Sequence, residues 1–509
     1  MFRRRTLLGL FGIVLLAASG AAVLPYLRPL PATTVSRDDL AASFDSDVRN
    51  VVCEWDPADP RPVPERRRAL FAFTYQAYDS SAWVPESVLL GNWMTEALLG
   101  DRHTIARDRV GLVSWRENRA VVAFGMAPNL TPGQPLGWSV NCLACHTAEI
   151  DGVVYFGAGA KVLDEKVLAD TVKMATSSTG RLRLPGGGAD DRMAAHTHDV
   201  MRRHHHDRID PLTRGRSAAF PASHVEMYVR AHGGVMPGTD AVGRGDVKTP
   251  PLWHTAAKRP FGRWYCDGSF HADLPLMASS MELELDQSFD KLVTAVLPAI
   301  RNDFETVIRH LRPPKYPYPI DTALAERGKV LFHAPEIGCS GCHGVYDGRG
   351  GVRWTGLHTD VGTDGARLEL VTDGFRDAFG RSPLAVEGTL EKSAGYAATP
   401  LTGVWANYPY LHNGSVPTLH HLLGPVAERP RIFSVKAAGA FDPRRVGQRL
   451  SADGSVGRGS ESRLLERFGN DRDWFNANRE GCGNAGHDYW SRIRTDANRE
   501  ALIEYLKTL

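Results

Sequence analysis

Apolar residues fall at helical spacing near the carboxyl end of the chain. Between Thr495 and Leu509 they stand three or four positions apart, at Leu502, Ile503, Leu506 and Leu509. Side chains at that spacing share one face of a helix. The pattern therefore predicts a packing helix that closes the end of the chain against its neighbours.

A second helical pattern runs from Asp321 to Phe332, with Leu324, Leu331 and Phe332 on the buried side. Asp321 suits an amino-terminal cap because its carboxylate can accept from free backbone N–H groups. The segment before it, residues 311–320, begins Leu-Arg-Pro-Pro-Lys-Tyr-Pro-Tyr-Pro. Proline at that density excludes a helix or a central strand. We expect an interdomain linker there and a new packed unit after it.

The amino terminus has a different pattern. Three arginines at positions 3 to 5 precede an uncharged apolar run from about Leu7 to Val23. A positive segment followed by an apolar one is typical of an export signal, and this run lies between the usual lengths of a cleaved signal and a spanning helix. Residues 1–30 are therefore predicted to be a signal peptide or a membrane anchor. Either one places the remaining chain in the periplasm or another extracytoplasmic compartment.

The composition completes the expected fold. With 50 glycines and 32 prolines, the chain should consist of helices joined by long loops, so we expect a mainly α protein with little sheet. Its 509 residues leave room for two or three packed units. We assign residues 31–84 to an amino-terminal extension, 85–310 to a first domain and 321–509 to a second. A formal charge of +2 gives no general attraction to nucleic acid, so nucleic-acid binding is set aside.

Two short motifs carry the candidate chemistry. The first motif is Cys142-Leu-Ala-Cys145-His146 and the second motif is Cys339-Ser-Gly-Cys342-His343. Both read C-x-x-C-H, the attachment signature of c-type haem. Cysteines three apart lie on one side of a helical turn, where two thiols can join the two vinyl groups of one porphyrin while the adjacent imidazole binds the iron.

A disulfide, a zinc half-site or a thioredoxin-like pair are the other interpretations of such spacing. Two copies of the pentapeptide in one chain with an export signal favour haem instead. The sequence therefore predicts two covalently bound haem c groups, one on each of two cytochrome-c-like haem domains.

Three further cysteines, Cys53, Cys266 and Cys482, form an odd set. They allow at most one disulfide, from three possible pairings, and an oxidising compartment favours such a bridge. One thiol then stays free or binds a ligand.

The two halves also share an internal echo. Lys248-Thr-Pro-Pro-Leu-Trp253 followed by Tyr265-Cys-Asp-Gly-Ser-Phe270 parallels Ala398-Thr-Pro-Leu401 followed by Leu411-His-Asn-Gly-Ser-Val416. We interpret each half as one copy of the same unit. The alternative is coincidence among residues that form turns.

Several segments resemble the bacterial di-haem cytochrome c peroxidase superfamily, and most of all its rubber-oxygenase-like branch. The resemblance is carried by Gly395-Tyr-Ala-Ala-Thr-Pro-Leu401, Val404-Trp405 and Tyr408-Pro-Tyr-Leu-His-Asn-Gly-Ser-Val-Pro-Thr-Leu419. That branch also tends to carry motifs like Asn141-Cys-Leu-Ala-Cys-His-Thr147, Gly362-Thr-Asp364 and Gly483-Asn-Ala-Gly-His487. The likeness covers roughly residues 85–509.

The resemblance implies an enzyme in which the amino-terminal haem reacts with hydrogen peroxide or dioxygen and the other haem relays electrons. His146 is then the proximal ligand at the reaction centre, and His343 is the proximal ligand of the relay haem. The peroxidases place a methionine ligand where this chain has Leu411, so a different sixth ligand is needed. The resemblance offers His487, which would give a bis-histidine iron of lower potential than a His/Met one. His412 is the competing candidate.

No single residue stands out as the sixth ligand of the first haem, and it is left unassigned. Histidines and methionines in that half are numerous: His196, His198, His204, His205, His206, His224, His254, His271, Met227 and Met236. Trp253 and Tyr265, both in the echo segment, are candidates for an aromatic wall or an electron relay near this haem. Buried aromatic packing is the alternative for both.

The sequence thus predicts an exported di-haem oxidoreductase of the peroxidase or oxygenase type. Its expected partners are peroxide or dioxygen, a small soluble electron-donor protein such as a cytochrome c or a copper protein, and the membrane if the amino-terminal segment is retained. Two other classes remain open. One is a non-catalytic electron-transfer cytochrome with both irons six-coordinate, and the other is a sensory or scaffold module of an envelope complex.

Overall fold

The computed structural model describes residues 40, 44, 51–78, 82–91, 104–113, 123–129, 133–181, 184, 186–204, 211–217, 245–273, 292–348, 351–381, 385, 388–436, 438–450 and 458–509. The predicted signal peptide or anchor, residues 1–30, lies outside these ranges. Inside them, no helix combines the length and apolar character needed to cross a bilayer.

The α-helices of the described residues are mostly short. They are α1 (Val63–Thr74), α2 (Glu86–Gly91), α3 (Cys142–Cys145), α4 (Glu165–Thr176), α5 (Ala189–His204), α6 (Thr255–Lys258), α7 (Leu297–Thr306), α8 (Thr322–His333), α9 (Cys339–His343), α10 (Asp373–Arg381), α11 (Leu419–Leu422), α12 (Arg458–Phe468), α13 (Trp490–Ile493) and α14 (Asp496–Lys507). Single 3₁₀ or π turns cover Ile105–Val110, Leu252–His254, Arg259–Phe261, Leu292–Val296, Ile308–His310, Leu368–Leu370, Val404–Ala406 and Val426–Glu428.

The strands are short and pair in sheets of two or three. They are β1 (Val51–Val52), β2 (Glu54–Trp55), β3 (Val84–Pro85), β4 (Met126–Pro128), β5 (Gly137–Val140), β6 (Thr147–Ile150), β7 (Val153–Phe156), β8 (Phe270–Ala272), β9 (Leu311–Arg312), β10 (Val345–Tyr346), β11 (Val352–Arg353), β12 (His358–Thr359), β13 (Gly388–Leu390), β14 (Tyr396–Ala397), β15 (Ile432–Ser434), β16 (Phe441–Asp442), β17 (Gly447–Gln448) and β18 (Trp474–Asn476). The three-stranded sheets have the orders β1-β7-β6 and β3-β5-β4.

The expectation of a mainly α fold with little sheet is wrong. Helix makes up 40% of the structure and strand 15%, the latter spread over many small sheets. Glycine and proline prevent long helices in the connecting segments, but the buried backbone there still needs hydrogen-bond partners. Short ladders supply those partners. The described residues consequently do not divide into two α-helical cytochrome-c-like domains joined by loops.

The hairpin β6–β7 shows why the sheet content was missed. Four register pairs join the strands, from Thr147 opposite Phe156 to Ile150 opposite Val153. The connecting residues Asp151 and Gly152 have φ values of 47° and 78°, as a two-residue type I′ hairpin turn requires. The Asp-Gly pair between β-branched residues is a recognised hairpin signal, and the first strand of the hairpin begins right after the first motif.

Both helices predicted from the apolar pattern are confirmed. Asp321 caps α8 by accepting a hydrogen bond from the backbone N–H of Leu324 at 2.9 Å. Helix α8 packs against α14, and a Cβ on Gly328 would lie only 1.8 Å from the backbone oxygen of Ala501. The absence of a side chain at residue 328 therefore lets the two helices approach closely. This crossing leads directly into α9, which carries the second motif.

One buried apolar cluster includes residues from both halves of the chain. It contains Phe156 and Trp253 from the first half together with Trp405 and Tyr505 from the second. Strand β9, at the start of the predicted linker, pairs with β2, and residues 313–320 form neither helix nor strand. The chain thus packs its two halves around shared interior contacts, while the predicted domain boundaries remain predictions.

Candidate haem-binding cavity

The first motif forms a single helical turn with a strong amino-terminal cap. The side chain of Asn141 accepts from the backbone N–H of Leu143 at 3.0 Å. Its amide nitrogen donates to the carbonyl oxygens of Thr74 and Gln76, each at 3.0 Å. The turn is therefore fixed to the end of α1, and the hydrogen bonds that Asx side chains make with nearby backbone explain why asparagine suits this position.

The histidine of the first motif points away from this cap. His146 Nδ1 lies 2.9 Å from the carbonyl oxygen of Pro250. Burial lowers the pKa of His146 to about 4, which favours the neutral imidazole. With the proton on Nδ1, the ring donates to this carbonyl and keeps the Nε2 lone pair available for a metal.

The second motif has the same arrangement. His343 Nδ1 lies 2.8 Å from the carbonyl oxygen of Thr399, and burial lowers the pKa of His343 as well. Each accepting carbonyl comes immediately before a Pro-Leu dipeptide, Pro251-Leu252 in the first half and Pro400-Leu401 in the second. The two histidines are therefore oriented by equivalent positions of the internal echo.

The second half of the echo is also visible in the structure. The N–H of Gly268 donates to the carbonyl oxygen of Tyr265 at 3.0 Å, and the N–H of Gly414 donates to that of Leu411 at 3.2 Å. The φ values of the two glycines are 61° and 66°. Both segments thus form the same left-handed turn, which places Tyr265 and Leu411 at matching positions.

His487 lies opposite the histidine of the second motif. The ring centres of His343 and His487 are 6.2 Å apart with an interplanar angle of 59°. Two metal–imidazole bonds of about 2 Å each, plus roughly 1 Å from each nitrogen to its ring centre, give a span of about 6 Å. The two rings are therefore spaced as if to bind one metal ion between them.

The loop that carries His487 is held rigidly. The backbone N–H of His487 donates to Val361 at 2.7 Å, and a Cβ on Gly486 would lie 2.2 Å from the backbone of Gly362. The buried Arg429 guanidinium donates to the carbonyl oxygens of Asn484 and Gly486, both at 2.7 Å. These contacts fix the unusual backbone of His487, which has a φ of 47°.

The electrostatic state of His487 suits a metal ligand. Burial, followed by the neighbouring His343 and Arg429, lowers its pKa to about 3. Its Nδ1 atom is buried and has no hydrogen-bond partner in the structure. A neutral imidazole with an unsatisfied buried nitrogen carries a free-energy cost that a ligand in the adjoining space would relieve.

Both motifs line one continuous cavity. Its interior volume is about 320 Å³, and its walls hold the four motif cysteines, His146, His343 and His487. Three basic residues, Lys248, Lys258 and Arg367, also line it, whereas no aspartate or glutamate is among the described lining residues. Thiols, neutral imidazoles, apolar walls and positive charges together fit a porphyrin, which brings vinyl groups, iron and carboxylates.

Trp253 and Tyr265 are placed differently. Tyr265 lines the cavity, and the guanidinium carbon of Arg367 lies 5.5 Å from its ring centre. Trp253 is 4% exposed, is not among the cavity-lining residues, and donates its indole N–H to the carbonyl oxygen of Thr402 at 3.0 Å. Tyr265 is consequently the one of the two that borders the space next to the first motif.

His412, the rival to His487, makes a different contact. Its ring stacks on Tyr396 with ring centres 3.7 Å apart and an interplanar angle of 13°. Burial lowers its pKa to about 3. Because the ring contact of His343 is with His487 and not with His412, the geometry favours His487 as its partner.

Of the other polar candidates that the structure describes, His254 lines the cavity. His254 is buried and bonds the carbonyl oxygen of Thr402 through Nε2 at 2.8 Å, and His271 is exposed. His198 bonds the carbonyl oxygen of Lys173 on α4. His205, His206, His224, Met227 and Met236 lie outside the described residues. Among those described, no aromatic or imidazole ring makes a ring contact with His146.

The three additional cysteines form no disulfide. Cys53, Cys266 and Cys482 are all free thiols. Burial raises the pKa of Cys53 and Cys482 to about 12 and that of Cys266 to about 11. Their thiols are therefore protonated at neutral pH and weak nucleophiles.

Two residues of the cavity wall escaped sequence reasoning. Arg367 forms an ion pair with Asp267 at 3.0 Å, and both side chains are 1% exposed. Tyr396, which stacks on His412, donates its hydroxyl to the carbonyl oxygen of Asp364 at 2.7 Å. The first contact joins residues 100 positions apart in the chain and the second joins residues 32 positions apart, so no local sequence pattern predicts them.

A family model described as RoxA-like, cytochrome c-like matches residues 395–434. The matched segment includes Thr399, which orients His343, together with the Tyr396–His412 stack and the turn that contains Leu411. The match supports a relationship to cytochromes c of the rubber-oxygenase-like kind and haem c as the cofactor. It does not extend to the whole di-haem peroxidase superfamily.

Two relatives come from Sinorhizobium fredii (strain NBRC 101917 / NGR234). The chain is 31% identical over 245 residues to "Uncharacterized protein y4iM", an overlap covering 39% of this chain and 51% of the relative. It is 26% identical over 304 residues to "Uncharacterized protein y4iJ", covering 47% of each. The chain spans about half the length of the curated relatives it matches.

Proposed function

We propose that the protein is an exported di-haem c-type oxidoreductase in which the two motifs serve unequal centres. In this proposal hydrogen peroxide or dioxygen reacts at the first motif, and the second motif passes on electrons from a small soluble donor protein, a cytochrome c or a copper protein. The bound haem would supply the one-electron and oxygen chemistry. The RoxA-like match supports the haem-containing oxidoreductase class, and the amino-terminal signal pattern supports export.

The observation that carries the proposal is the difference between the faces opposite the two motif histidines. His343 faces His487 at a ring-centre distance of 6.2 Å, which leaves no room for a substrate between the rings. His146 has no ring contact with any described residue. A closed site suits electron transfer and an open one suits a reacting ligand.

The chain's own residues perform distinct tasks in this scheme. The carbonyl oxygens of Pro250 and Thr399 hold the protons on Nδ1 of His146 and His343 and thereby fix the orientation of both rings. Arg429 holds the loop that presents His487. Tyr265 and the apolar side chains beside it limit access to the space next to the first motif.

Carbon monoxide titration of the reduced protein tests the proposal. Protein matured in a host that attaches haem should carry the mass of a porphyrin on the peptides of both motifs, and carbon monoxide should bind one haem of the two. The non-catalytic carrier predicts no carbon monoxide binding at either haem. Turnover of peroxide or oxygen should also require the donor and should stop when carbon monoxide occupies the open site.

A variant pair separates the two motifs in this titration. Replacing both cysteines of the first motif by serine should remove one porphyrin mass and all carbon monoxide binding. The same change in the second motif should remove one porphyrin mass and leave carbon monoxide binding in place. If carbon monoxide binding were lost with the cysteines of the second motif and kept without those of the first, the roles of the two motifs would be reversed.

A further inference from the structure

Among the described residues, one lysine side chain in the cavity wall has no partner. Lys258, the last residue of α6, is 5% exposed and lines the cavity. Its ammonium group makes no hydrogen bond or ion pair with any described residue, in contrast to the other two basic residues of the wall. Lys248 donates to the side-chain oxygen of Asn407 at 3.1 Å, and Arg367 is paired with Asp267.

An ammonium group buried without a partner is costly. The free-energy cost of desolvating a charged amine exceeds the free energy gained from contacts with apolar side chains. Buried charges are therefore normally paired. The group that acts to raise the pKa of Lys258 is the thiol of Cys266, which is itself protonated at neutral pH and supplies no negative charge. Since the described wall residues include no carboxylate, a compensating anion has to come from whatever fills the cavity.

The position of Lys258 indicates which centre it serves. Along the chain it stands between Pro250, whose carbonyl orients His146, and Tyr265, which borders the cavity beside the first motif. The segment from Pro250 to Tyr265 therefore runs along the edge of the space next to the first motif, with Lys258 about midway. The second half has no matching base, because none of the nine residues between Leu401 and Leu411 is a lysine or an arginine.

We propose that Lys258 is the counter-ion of a carboxylate inside the cavity, and that this carboxylate is a propionate of the haem attached at the first motif. The inference rests on the proposed function only in requiring that haem. A porphyrin carries two carboxylates and thus supplies the missing negative charge at the point where the wall supplies a positive one. Lys258 is a positioning residue: it fixes the carboxylate edge of the group and sets the electrostatic potential around it.

The test is the midpoint potential of each haem in matched variants of the holoprotein. Lys258→Met keeps the length of the side chain and removes its charge, whereas Lys258→Arg keeps the charge. A positive charge near the porphyrin stabilises the reduced state. Lys258→Met should therefore lower the potential of the first haem and leave that of the second unchanged, while Lys258→Arg should stay close to wild type.

Two controls make the result decisive. Lys329→Met removes the same charge from the exposed surface of α8 and should shift neither potential. Peptide masses of the same samples report haem attachment at each motif. If the wild-type protein itself carried no haem, the proposed function would be refuted, and this outcome is distinct from a failure of the inference about Lys258. If Lys258→Met attaches only one haem, the missing one should be at the first motif, and Lys258→Arg should restore it.

Three outcomes would overturn the inference. The first is a folded Lys258→Met protein with both haems and unchanged potentials. The second is loss of haem from the second motif in place of the first. The third is conversion of the first haem from low spin to high spin in Lys258→Met, which would show that the amine binds iron and not a carboxylate.

Discussion

The two motifs share one cavity, and their histidines are oriented alike, but the surroundings differ. At the second motif, α8 and α14 cross tightly and His487 closes the opposite face. At the first motif, the support comes from the capped turn at Asn141 and the β6–β7 hairpin, and no ring of a described residue contacts His146. In the proposed function, the groups opposite the motif histidines, and not the motifs themselves, give the two centres their different roles.

Removal of the imidazole opposite His343 should have the largest effect on the difference between the two motifs. Replacing His487 by alanine removes the imidazole opposite His343, so the second haem should change from low spin to high spin and acquire carbon monoxide binding. Turnover should fall by roughly 10- to 100-fold because the relay centre is altered. Optical spectra and donor-dependent turnover measure both effects.

The matched control for this prediction is His412→Ala. Because His412 stacks on Tyr396 and makes no ring contact with His343, its loss should leave the second haem low spin. A high-spin second haem in His412→Ala, with His487→Ala unchanged, would assign the ligand to His412 instead.

Among the contacts that support the closed side, those of Arg429 should contribute most to the free energy of unfolding. Arg429→Met removes hydrogen bonds to the carbonyl oxygens of Asn484, Gly486 and His487. Leaving these buried acceptors unpaired should reduce the free energy of unfolding by about 2–4 kcal/mol. Urea unfolding measures the change. Arg431→Met, at a side chain 52% exposed, should change the free energy by less than about 0.5 kcal/mol; an equal loss in both variants would contradict a specific role for Arg429.

The helix crossing next to the second motif can be tested with one methyl group. Gly328→Ala places a Cβ at 1.8 Å from the backbone oxygen of Ala501, so α8 must move and the free energy of unfolding should fall by about 1–3 kcal/mol. Thermal unfolding monitors the effect. Gly380→Ala on α10, where nothing lies within 4 Å, should be neutral or stabilising by up to about 1 kcal/mol. A tolerated Gly328→Ala would mean that the crossing is looser than the structure indicates.

The smallest expected effect lies in the first half of the chain, at the buried His254. Burial lowers the pKa of His254 to about 3, below the ordinary value near 6.5. The unfolded chain therefore binds the proton first, so the stability contributed by neutral His254 is complete above pH 6.5 and is lost as the pH falls toward 3.

Replacing His254 by glutamine should remove this part of the pH dependence. Between pH 6.5 and 5.5, the decrease in the free energy of unfolding should be smaller in His254→Gln than in wild type by up to about 1 kcal/mol. Urea unfolding at the two pH values gives the difference. The exposed His271→Gln should keep the wild-type slope, and an unchanged slope in His254→Gln would contradict burial of a neutral imidazole.

Local patterns in the sequence predicted a substantial part of the structure. The spacing of apolar residues gave α8 and α14 within one or two residues, and the capping role of Asp321 followed from side-chain chemistry. The proline-dense segment indeed lacks helix and, after residue 312, strand. The C-x-x-C-H spacing gave one-sided helical turns at both motifs, and the echo gave two equal turns.

Features that depend on contacts between residues far apart in the sequence could not be predicted from local patterns. The small sheets form because loop backbone meets loop backbone in the folded chain, and even the Asp151-Gly152 signal was outweighed by overall composition. The accepting carbonyls of Pro250 and Thr399 lie 104 and 56 residues from their histidines. The lack of a partner for the Lys258 ammonium group among the described residues likewise depends on segments that are distant in the sequence.

The central claim, that the two centres have unequal coordination, is tested most directly by paramagnetic resonance of the fully oxidised holoprotein with quantified spins. The account predicts one high-spin and one low-spin ferric haem per chain, with cyanide converting only the high-spin signal. Two low-spin haems whose signals do not change with cyanide would contradict unequal coordination of the two centres.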